Sequence, residues 1–289
     1  MLEGPFNLSQ TRELLDAISH SPKKWLGQNF LVDGNIVRKS LALAEIAAGD
    51  IVVEIGPGLG TLTTSLLQTG ARVFAVERDP ALAEHLRQKV APDYVSSFDL
   101  LEADAMDFPL GTLPQSDAAT MPFKIVANLP YAISTPWMDA VLECDNLPRT
   151  IVLMLQKEAA DRFSAEAGMK NFGALSIFLE AAYDRAPGHK VPAQCFFPQP
   201  KIDSCLLNLR LKKNPRQFAA TTKKVVREIF IYRRKQVSSA LKKIGTTVPE
   251  SVVAEWFSLL PQFGCEPCSR PESIPVPAWL ALDSLLSQA

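Results

Sequence analysis

Hydrophobic residues between positions 35 and 162 follow two alternating patterns. Short apolar runs predict β-strands, and longer stretches with an apolar residue at every third or fourth position predict helices. The predicted strands cover residues 51–55, 73–77, 99–102, 125–127 and 151–155. The predicted helices cover residues 35–47, 62–68, 80–89, 135–142 and 158–162. This alternation indicates an α/β domain with a mostly parallel sheet.

Two later apolar runs, residues 178–183 and 205–211, follow each other without a convincing helix between them. They predict an antiparallel strand pair at the sheet edge. Beyond residue 215 the spacing becomes helical, and it predicts helices within residues 218–244, 252–260 and 279–286. We therefore expect an N-terminal extension over residues 1–22, an α/β domain over residues 23–213 and an all-helical domain over residues 214–289.

Composition excludes several classes of protein. The chain has 289 residues, 47% apolar and 21% charged, which is ordinary for a globular protein. It has no apolar run long enough to span a membrane, and its N-terminus lacks the basic start and apolar centre of a secretory signal. The five cysteines are odd in number and scattered, as reduced thiols are. We expect a cytoplasmic monomer without a metal site or membrane contact.

The net charge of −1 hides a basic segment. Between Arg210 and Lys243 there are twelve basic residues and one acid, Glu228. The densest part is Arg233-Arg234-Lys235. A charge run this one-sided indicates a polyanionic partner, whereas a mixed run would be typical of an ordinary solvated face.

A glycine turn follows the first predicted strand, at Gly56, Gly58 and Gly60. Glycine lets the backbone pass close to a ligand where a Cβ would collide. Glu77 ends the second strand, where a carboxylate can bind two ribose hydroxyls, and Asp104 follows the third. Because parallel sheets bind ligands at such strand ends, these residues together predict a nucleoside cofactor.

The run Asn128-Leu129-Pro130-Tyr131 follows the fourth strand. Asn128 can accept a hydrogen bond from an exocyclic amine, Tyr131 can stack on a ring face, and Pro130 stiffens the turn. The run therefore indicates a site for an amine-bearing base. Taken alone, the same four residues fit a stiff turn with a core tyrosine equally well.

Together with five further segments, these motifs make the chain resemble the ribosomal RNA adenine dimethylase family. The segments are Leu-Gly-Gln-Asn-Phe-Leu at 26–31, Met-Leu-Gln-Lys-Glu at 154–158, Phe-Phe-Pro-Gln-Pro-Lys-Ile-Asp-Ser at 196–204, Tyr-Arg-Arg-Lys at 232–235 and Arg-Pro-Glu-Ser-Ile at 270–274. The last two make it more similar to the small-subunit enzymes than to those acting on large-subunit RNA. The chain departs from the family pattern at Ala132, usually Asn, and at Phe172, usually Tyr.

The resemblance implies a Rossmann-like methyltransferase sheet with a small C-terminal all-helical RNA-binding domain. It implies dimethylation, by S-adenosylmethionine, of the exocyclic amines of two adjacent adenosines near the 3′ end of small-subunit ribosomal RNA. The substrate would be a pre-small-subunit particle, and the enzyme would take part in small-subunit biogenesis.

The resemblance also implies roles for individual residues. Those implied to hold the cofactor are Gln28, Asn29, Leu31, Gly56, Gly58, Glu77, Asp104 and Asn128. Those implied to hold the target base are Asn128, the Leu129 or Pro130 carbonyl, and the rings of Tyr131 and Phe196. Those implied to bind RNA are Arg233, Arg234 and Lys235.

Three other interpretations fit part of the pattern. An NAD-dependent dehydrogenase shares the glycine turn and Glu77, but it requires G-x-G-x-x-G spacing and gives Asn128 to Tyr131 no role. A non-catalytic RNA-binding assembly factor would explain the basic segment, although the cofactor and base motifs are complete. A methylase acting on large-subunit RNA or on DNA would use the same chemistry on another substrate.

Overall fold

The computed structural model describes residues 2–114, 121–245 and 248–288. The chain divides into two compact units, which we call the sheet unit (Met1–Ala160 with Arg185–Leu211) and the helical unit (Asp161–Asp184 with Lys212–Ala289). This division differs from the sequence-based one in two ways. Residues 161–184 belong to the helical unit, and the N-terminal extension belongs to the sheet unit.

The strands are numbered in chain order. They are β1 Phe30–Leu31, β2 Ile51–Ile55, β3 Arg72–Glu77, β4 Phe98–Glu102, β5 Phe123–Asn128, β6 Thr150–Gln156, β7 Tyr183–Val191, β8 Phe196–Phe197 and β9 Ser204–Leu211. The main sheet has the order β4-β3-β2-β5-β6-β9-β7. Its first five strands are parallel, β9 is antiparallel to β6, and β1 pairs with β8 in a separate antiparallel ribbon. The predicted α/β class and the five parallel strands are confirmed.

The strand order creates a switch point between β2 and β5. From β2 the chain continues to β3 and β4 on one side of the sheet, and then crosses to β5 and β6 on the other. The connections diverge there, which leaves a crevice beyond the carboxyl ends of β2 and β5. The glycine turn and Asn128 lie at these two ends.

The helices are also numbered in chain order. They are α1 Leu8–Ala17, α2 Gly34–Leu43, α3 Thr61–Gln68, α4 Pro80–Lys89, α5 Ser134–Val141, α6 Lys157–Phe163, α7 Ala174–Ala182, α8 Ala220–Ile231, α9 Val237–Ile244, α10 Glu250–Leu259 and α11 Val276–Leu286. The start of α4 shows how local sequence sets them. Asp79 accepts a hydrogen bond from the Ala81 N–H at 3.1 Å, and Pro80 occupies the first helical position.

The strand predicted over residues 178–183 is wrong. Residues 174–182 form helix α7, and the strand β7 begins at Tyr183. Seven of the nine α7 residues are buried. A helix buried on all sides shows no polar face, so its apolar run is indistinguishable from that of a buried strand.

The N-terminal residues form a small core with the sheet unit. Leu15 of α1 is 3% exposed and packs in a cluster with Phe6, Phe30, Leu59 and Leu82. Leu59 belongs to the glycine turn and Phe30 to β1. The extension therefore supports the backbone that borders the crevice.

The helical unit has an aromatic core. The rings of Trp256 and Trp279 lie 5.3 Å apart, and Phe230 lies 6.0 Å from Trp279. Each indole N–H has a carbonyl acceptor, Ala278 O for Trp256 and Ile274 O for Trp279. Within the residues described, no helix is both long and apolar enough to span a membrane.

Candidate active site

A cleft of about 1120 Å³, counting the open space at its mouth, lies at the switch point of the sheet unit. Every residue predicted to hold the cofactor lines this cleft, and so does the whole run from Asn128 to Tyr131. Phe196 was predicted for the site but does not line the cleft, whereas Glu54 was not predicted and does line it. The structure therefore brings together motifs that are separated by about a hundred residues of sequence.

The glycine turn follows β2 in a conformation that side chains disfavour. Gly56, Gly58 and Gly60 have φ angles of 68°, 62° and 91°. A Cβ on Gly56 would lie 3.5 Å from Pro130 Cδ, and one on Gly58 would lie 3.2 Å from the Phe30 ring. The absence of side chains keeps the cleft floor open and lets the turn contact the Asn128–Tyr131 run.

Glu77 connects the glycine turn to the start of α4. Its Oε2 accepts a hydrogen bond from the Gly58 N–H at 3.0 Å, and its Oε1 accepts one from the Asp79 N–H at 2.8 Å. The residue is 5% exposed. Burial raises the pKa of the Glu77 carboxyl to about 7, although the backbone N–H groups oppose the shift. Each oxygen retains a lone pair for a ligand hydroxyl.

Glu54, which sequence reasoning missed, is a second buried acid in the cleft. It is 1% exposed within the fully buried strand β2. Burial raises its pKa to about 8, the Thr63 hydroxyl opposes the shift, and the charge of Glu77 adds to it. Its Oε2 has no hydrogen-bond partner among the described residues. An acid inside an apolar strand was the available signal, because such groups are rarely buried without a role.

Gln28 ties residues 23–29, which we call the 23–29 loop, to the end of β3. Its amide nitrogen donates to Asp79 Oδ2 at 2.8 Å, and its Oε1 accepts from the Lys23 N–H at 2.7 Å. The Lys23 ammonium lies 2.9 Å from the same Asp79 oxygen, and His20 Nε2 lies 3.1 Å from Gln28 Oε1. The side chain of Gln28 is thus engaged within the protein and orients the loop.

Asp79 is the centre of that network and was not predicted. Its side chain is completely buried. Burial alone would raise the pKa of the Asp79 carboxyl, but hydrogen bonds from Lys23 and Gln28 and the nearby His20 hold it below its ordinary value. Asp79 therefore stays ionised and connects the 23–29 loop to Glu77 through its own N–H.

The Asn128 amide is oriented by the 23–29 loop. Its Nδ2 donates to the Asn29 carbonyl at 2.9 Å, and Asn29 Nδ2 donates to the Gly27 carbonyl at 3.0 Å. The nitrogen end of the Asn128 amide is therefore used within the protein. The oxygen end is the one that can accept from an amine in the cleft.

The rest of the run positions Tyr131. Leu129 is fully buried, and Pro130 has φ −55° and ψ 125°. The proline ring restricts the backbone just before the short helical turn that begins at Tyr131. The Tyr131 hydroxyl and Ser204 Oγ are 2.8 Å apart. Burial raises the pKa of the Tyr131 phenol, so it stays neutral. The 196–204 segment thus reaches the site through Ser204.

Phe196 is not among the residues that line the cleft. It is 3% exposed and packs in the core of the sheet unit. In the β1–β8 ribbon it pairs with Leu31, which is also buried but does border the cleft. Strand alternation turns the half-buried Phe197 the other way, where the Arg12 guanidinium lies 5.0 Å from its ring centroid. In this arrangement the ring of Phe196 is covered, and its stacking role stays a prediction.

Asp104 lies where the sequence predicted, beyond β4 at the edge of the cleft. Its Oδ1 accepts from the Met106 N–H at 2.9 Å, and its Oδ2 lies 2.9 Å from Arg78 Nη1. The carboxylate is thus fixed on both oxygens and still retains acceptor capacity.

Comparison with known proteins decides the family. The model of the ribosomal RNA adenine dimethylase family matches residues 19–254. The chain belongs to this family. Members of it are S-adenosylmethionine-dependent enzymes that dimethylate adenine in ribosomal RNA, and the predicted family, enzyme class and cofactor are confirmed.

Individual relatives match over nearly the whole chain. A protein of Opitutus terrae named ribosomal RNA small subunit methyltransferase A is 52% identical over 96% of this chain and 98% of its own length. A protein of the same name from Chlamydia felis is 40% identical over 96% of this chain and 94% of its own. The match to these two relatives therefore extends over both units of this dimethylase.

Two solved structures share the fold. A dimethyladenosine transferase from Plasmodium falciparum has a TM-score of 0.72 at 23% identity, covering 90% of this chain and 98% of its own. The 23S rRNA methyltransferase ErmE has a TM-score of 0.65 at 25% identity, covering 90% of this chain and all of its own. The predicted α/β architecture with a helical C-terminal part is that of these methyltransferases.

Part of the basic segment of this dimethylase forms contacts within the protein. In the helical unit, Arg233 Nε and Nη2 donate to Glu272 Oε2 at 3.0 and 2.7 Å, and Nη2 also donates to the Lys170 carbonyl at 2.6 Å. Arg233 is half-buried, whereas Arg234 and Lys235 are both exposed. The 232–235 and 270–274 signatures therefore meet through the Arg233–Glu272 pair, a structural contact that sequence reasoning did not anticipate.

Proposed function

We propose that this dimethylase acts on two adjacent adenosines near the 3′ end of small-subunit ribosomal RNA. The site observation that carries the proposal is the Asn128 amide, fixed by Asn29 at the end of β5 with its oxygen available to an amine. The small-subunit name of the relative that is 52% identical supports the choice of RNA. The target nucleotides themselves are an inference from the family resemblance.

The residues of the cleft fit S-adenosylmethionine. The glycine turn leaves room for it, and the Glu77 oxygens have lone pairs for its two ribose hydroxyls. Asp104 would accept a hydrogen bond from the adenine amine, and Glu54 offers a carboxyl oxygen without a partner among the described residues. Gln28, Asn29 and Leu31 would border its methionine part. When bound, the cofactor supplies an electrophilic methyl group on its sulfonium.

Asn128 would position the nucleophile. The adenine amine is a poor nucleophile because its lone pair is delocalised into the ring. Accepting hydrogen bonds from it at Asn128 Oδ1 and at the Leu129 or Pro130 carbonyl would favour a more tetrahedral nitrogen. Positioning of this kind contributes roughly 7–11 kcal/mol to well-oriented reactions. The alkylated amine is strongly acidic, so its proton can leave to water without a dedicated base.

Tyr131 would hold the base. The adenosine must leave its stack, which costs a few kcal/mol. Stacking on an aromatic side chain is worth roughly 1–3 kcal/mol per base and would offset that cost. The bond to Ser204 fixes the edge of the Tyr131 ring, so the ring is oriented before the base arrives.

The helical unit would bind the RNA backbone through Arg234 and Lys235, with Arg233 holding the segment in place. Phosphate contacts supply most of the affinity for nucleic acids and carry no sequence information. We further propose that the substrate is a pre-small-subunit particle, that the enzyme contributes to small-subunit biogenesis, and that it works as a cytoplasmic monomer.

The decisive experiment is transfer of a labelled methyl group to small-subunit particles that lack the modification, followed by mapping of the labelled nucleotides. Asn128→Ala should lower the single-turnover rate at least about a hundredfold while RNA affinity changes little, since Asn128 binds one amine and the phosphates supply most of the affinity. Asn35→Ala removes an exposed amide outside the cleft and is the matched control. Label in large-subunit RNA, or a wild-type rate for Asn128→Ala, would refute the proposal.

A further inference from the structure

Trp25 is an exposed aromatic residue at the mouth of the cleft. It is 71% exposed, although it lines the cleft with Arg78 and Asp104. It lies in the short helical turn Lys24–Leu26, between Lys23, which is anchored to Asp79, and Gly27. The backbone on both sides is therefore held in place, while the indole itself projects beside the open end of the cleft.

The indole has a weak cation–π contact. The Arg78 guanidinium lies 5.9 Å from the Trp25 ring centroid, close to the outer limit for a cation–π contact. The same guanidinium forms the 2.9 Å ion pair with Asp104. Trp25, Arg78 and Asp104 thus form a row of successive contacts, in which Arg78 and Asp104 follow the carboxyl ends of β3 and β4.

We propose that Trp25 covers the adenine of the bound cofactor by stacking its indole on the ring face. This inference rests on the proposed cofactor site, in which Asp104 binds the adenine amine. Asp104 has lone pairs for both Arg78 and that amine, so the ion pair persists and fixes the row. Only the Trp25 side chain needs to turn, because its backbone is already anchored.

Stacking would also bury surface that is now open. An indole brings a large apolar face to a contact, and aromatic–base stacking stabilises a bound base. Trp25→Ala should therefore weaken cofactor affinity by about tenfold. Trp25→Phe should weaken it less, because a smaller ring still stacks.

The tryptophans of the chain provide a direct readout. Of the four in the sequence, Trp137, Trp256 and Trp279 have no exposed surface, so iodide should quench the fluorescence of Trp25 alone. Saturating S-adenosylhomocysteine should abolish most of the iodide-accessible fraction in the wild type. Trp25→Phe should lack that fraction with or without the ligand. Val95→Ala, at a residue that is 84% exposed, is the control for affinity measured by calorimetry.

The outcomes separate the two proposals. If calorimetry detects no binding of S-adenosylhomocysteine or S-adenosylmethionine to the wild type, the proposed cofactor site is wrong. If the wild type binds S-adenosylhomocysteine while iodide access and Trp25→Ala affinity stay unchanged, only the covering role is overturned. Protection of Trp25 by an RNA oligonucleotide but not by S-adenosylhomocysteine would likewise overturn it and assign the indole to the RNA surface.

Discussion

At the scale of single residues, burial and ligand binding favour opposite protonation states of Glu77. Its burial favours the protonated acid, whereas ribose hydroxyls are best accepted by the ionised carboxylate. Hydrogen bonds from two backbone N–H groups lower the pKa that burial raises, and the resulting pKa of Glu77 is about 7. Cofactor binding should therefore be coupled to loss of a proton from Glu77.

Cofactor affinity should fall as the pH decreases through about 7, where Glu77 takes up a proton. Well below that pKa, each pH unit should weaken binding by about tenfold, because the ionised fraction falls by that factor. Calorimetric titration of S-adenosylhomocysteine at several pH values measures the effect. Glu77→Gln should bind the ligand more weakly at every pH and lose the pH dependence near 7. Any pH dependence caused by titration of the ligand itself should be the same for both proteins. Equal pH profiles would contradict the assignment.

The same shifts affect stability with a defined sign. The unfolded state releases the Glu77 and Glu54 protons near the ordinary value of 4.5, and the folded state holds them to about 7 and about 8. The folded protein therefore binds more protons in this window, so stability decreases as the pH rises through it. Glu54→Gln should reduce the loss of stability as the pH rises. Thermal unfolding at pH 5 and pH 9 measures this effect. A pH dependence equal to that of the wild type would contradict the assignment of Glu54 as a buried acid with a raised pKa.

Sequence reasoning could find the residues that end strands or follow them closely. Glu77, Asp104 and Asn128 were predictable because parallel strands place their carboxyl ends along one edge. Asp79 was not, since its partners in the 23–29 loop are more than fifty residues away in sequence. Phe196 and Phe197 are adjacent aromatics, and only the register of β8 with β1 shows which one is buried.

At the scale of elements, hydrophobic spacing located the five parallel strands but confused α7 with a strand. It also gave no sign of α1, whose ten residues are mostly polar. What stabilises α1 is its packing against Phe30, Leu59 and Leu82. Tertiary packing of this kind is absent from any local window of sequence.

Leu15→Ala tests whether α1 supports the glycine turn. Removing a side chain that is 3% exposed should lower the free energy of unfolding by about 2–4 kcal/mol. Because Leu15 packs in one cluster with Leu59 of the glycine turn, cofactor affinity should fall as well. Chemical denaturation and calorimetry measure the two effects. Leu8→Ala, at a residue that is 40% exposed, should change neither, and a stable Leu15→Ala protein would contradict the packing argument.

At the scale of the whole molecule, the chain enters the helical unit twice. Residues 161–184 belong to the helical unit, residues 185–211 return to the sheet unit, and residues 212–289 form the rest of the helical unit. The composition change near residue 213 marks only the second crossing. The first has no comparable change in composition, so nothing local distinguishes residues that pack in one unit from those that pack in the other.

The three basic residues at 233–235 should separate into one structural and two RNA-binding positions. Arg233→Ala should lower stability by about 1 kcal/mol, the scale of a partly exposed ion pair, because it leaves Glu272 without this ion-pair partner. Arg234→Ala with Lys235→Ala should leave stability and cofactor affinity unchanged but weaken RNA binding. Each phosphate that the double variant no longer neutralises should reduce the salt slope of log affinity by about 0.7–0.9. Binding isotherms at several salt concentrations, with thermal unfolding of each variant, measure both. If the double variant keeps the wild-type slope, Arg234 and Lys235 do not contact phosphates.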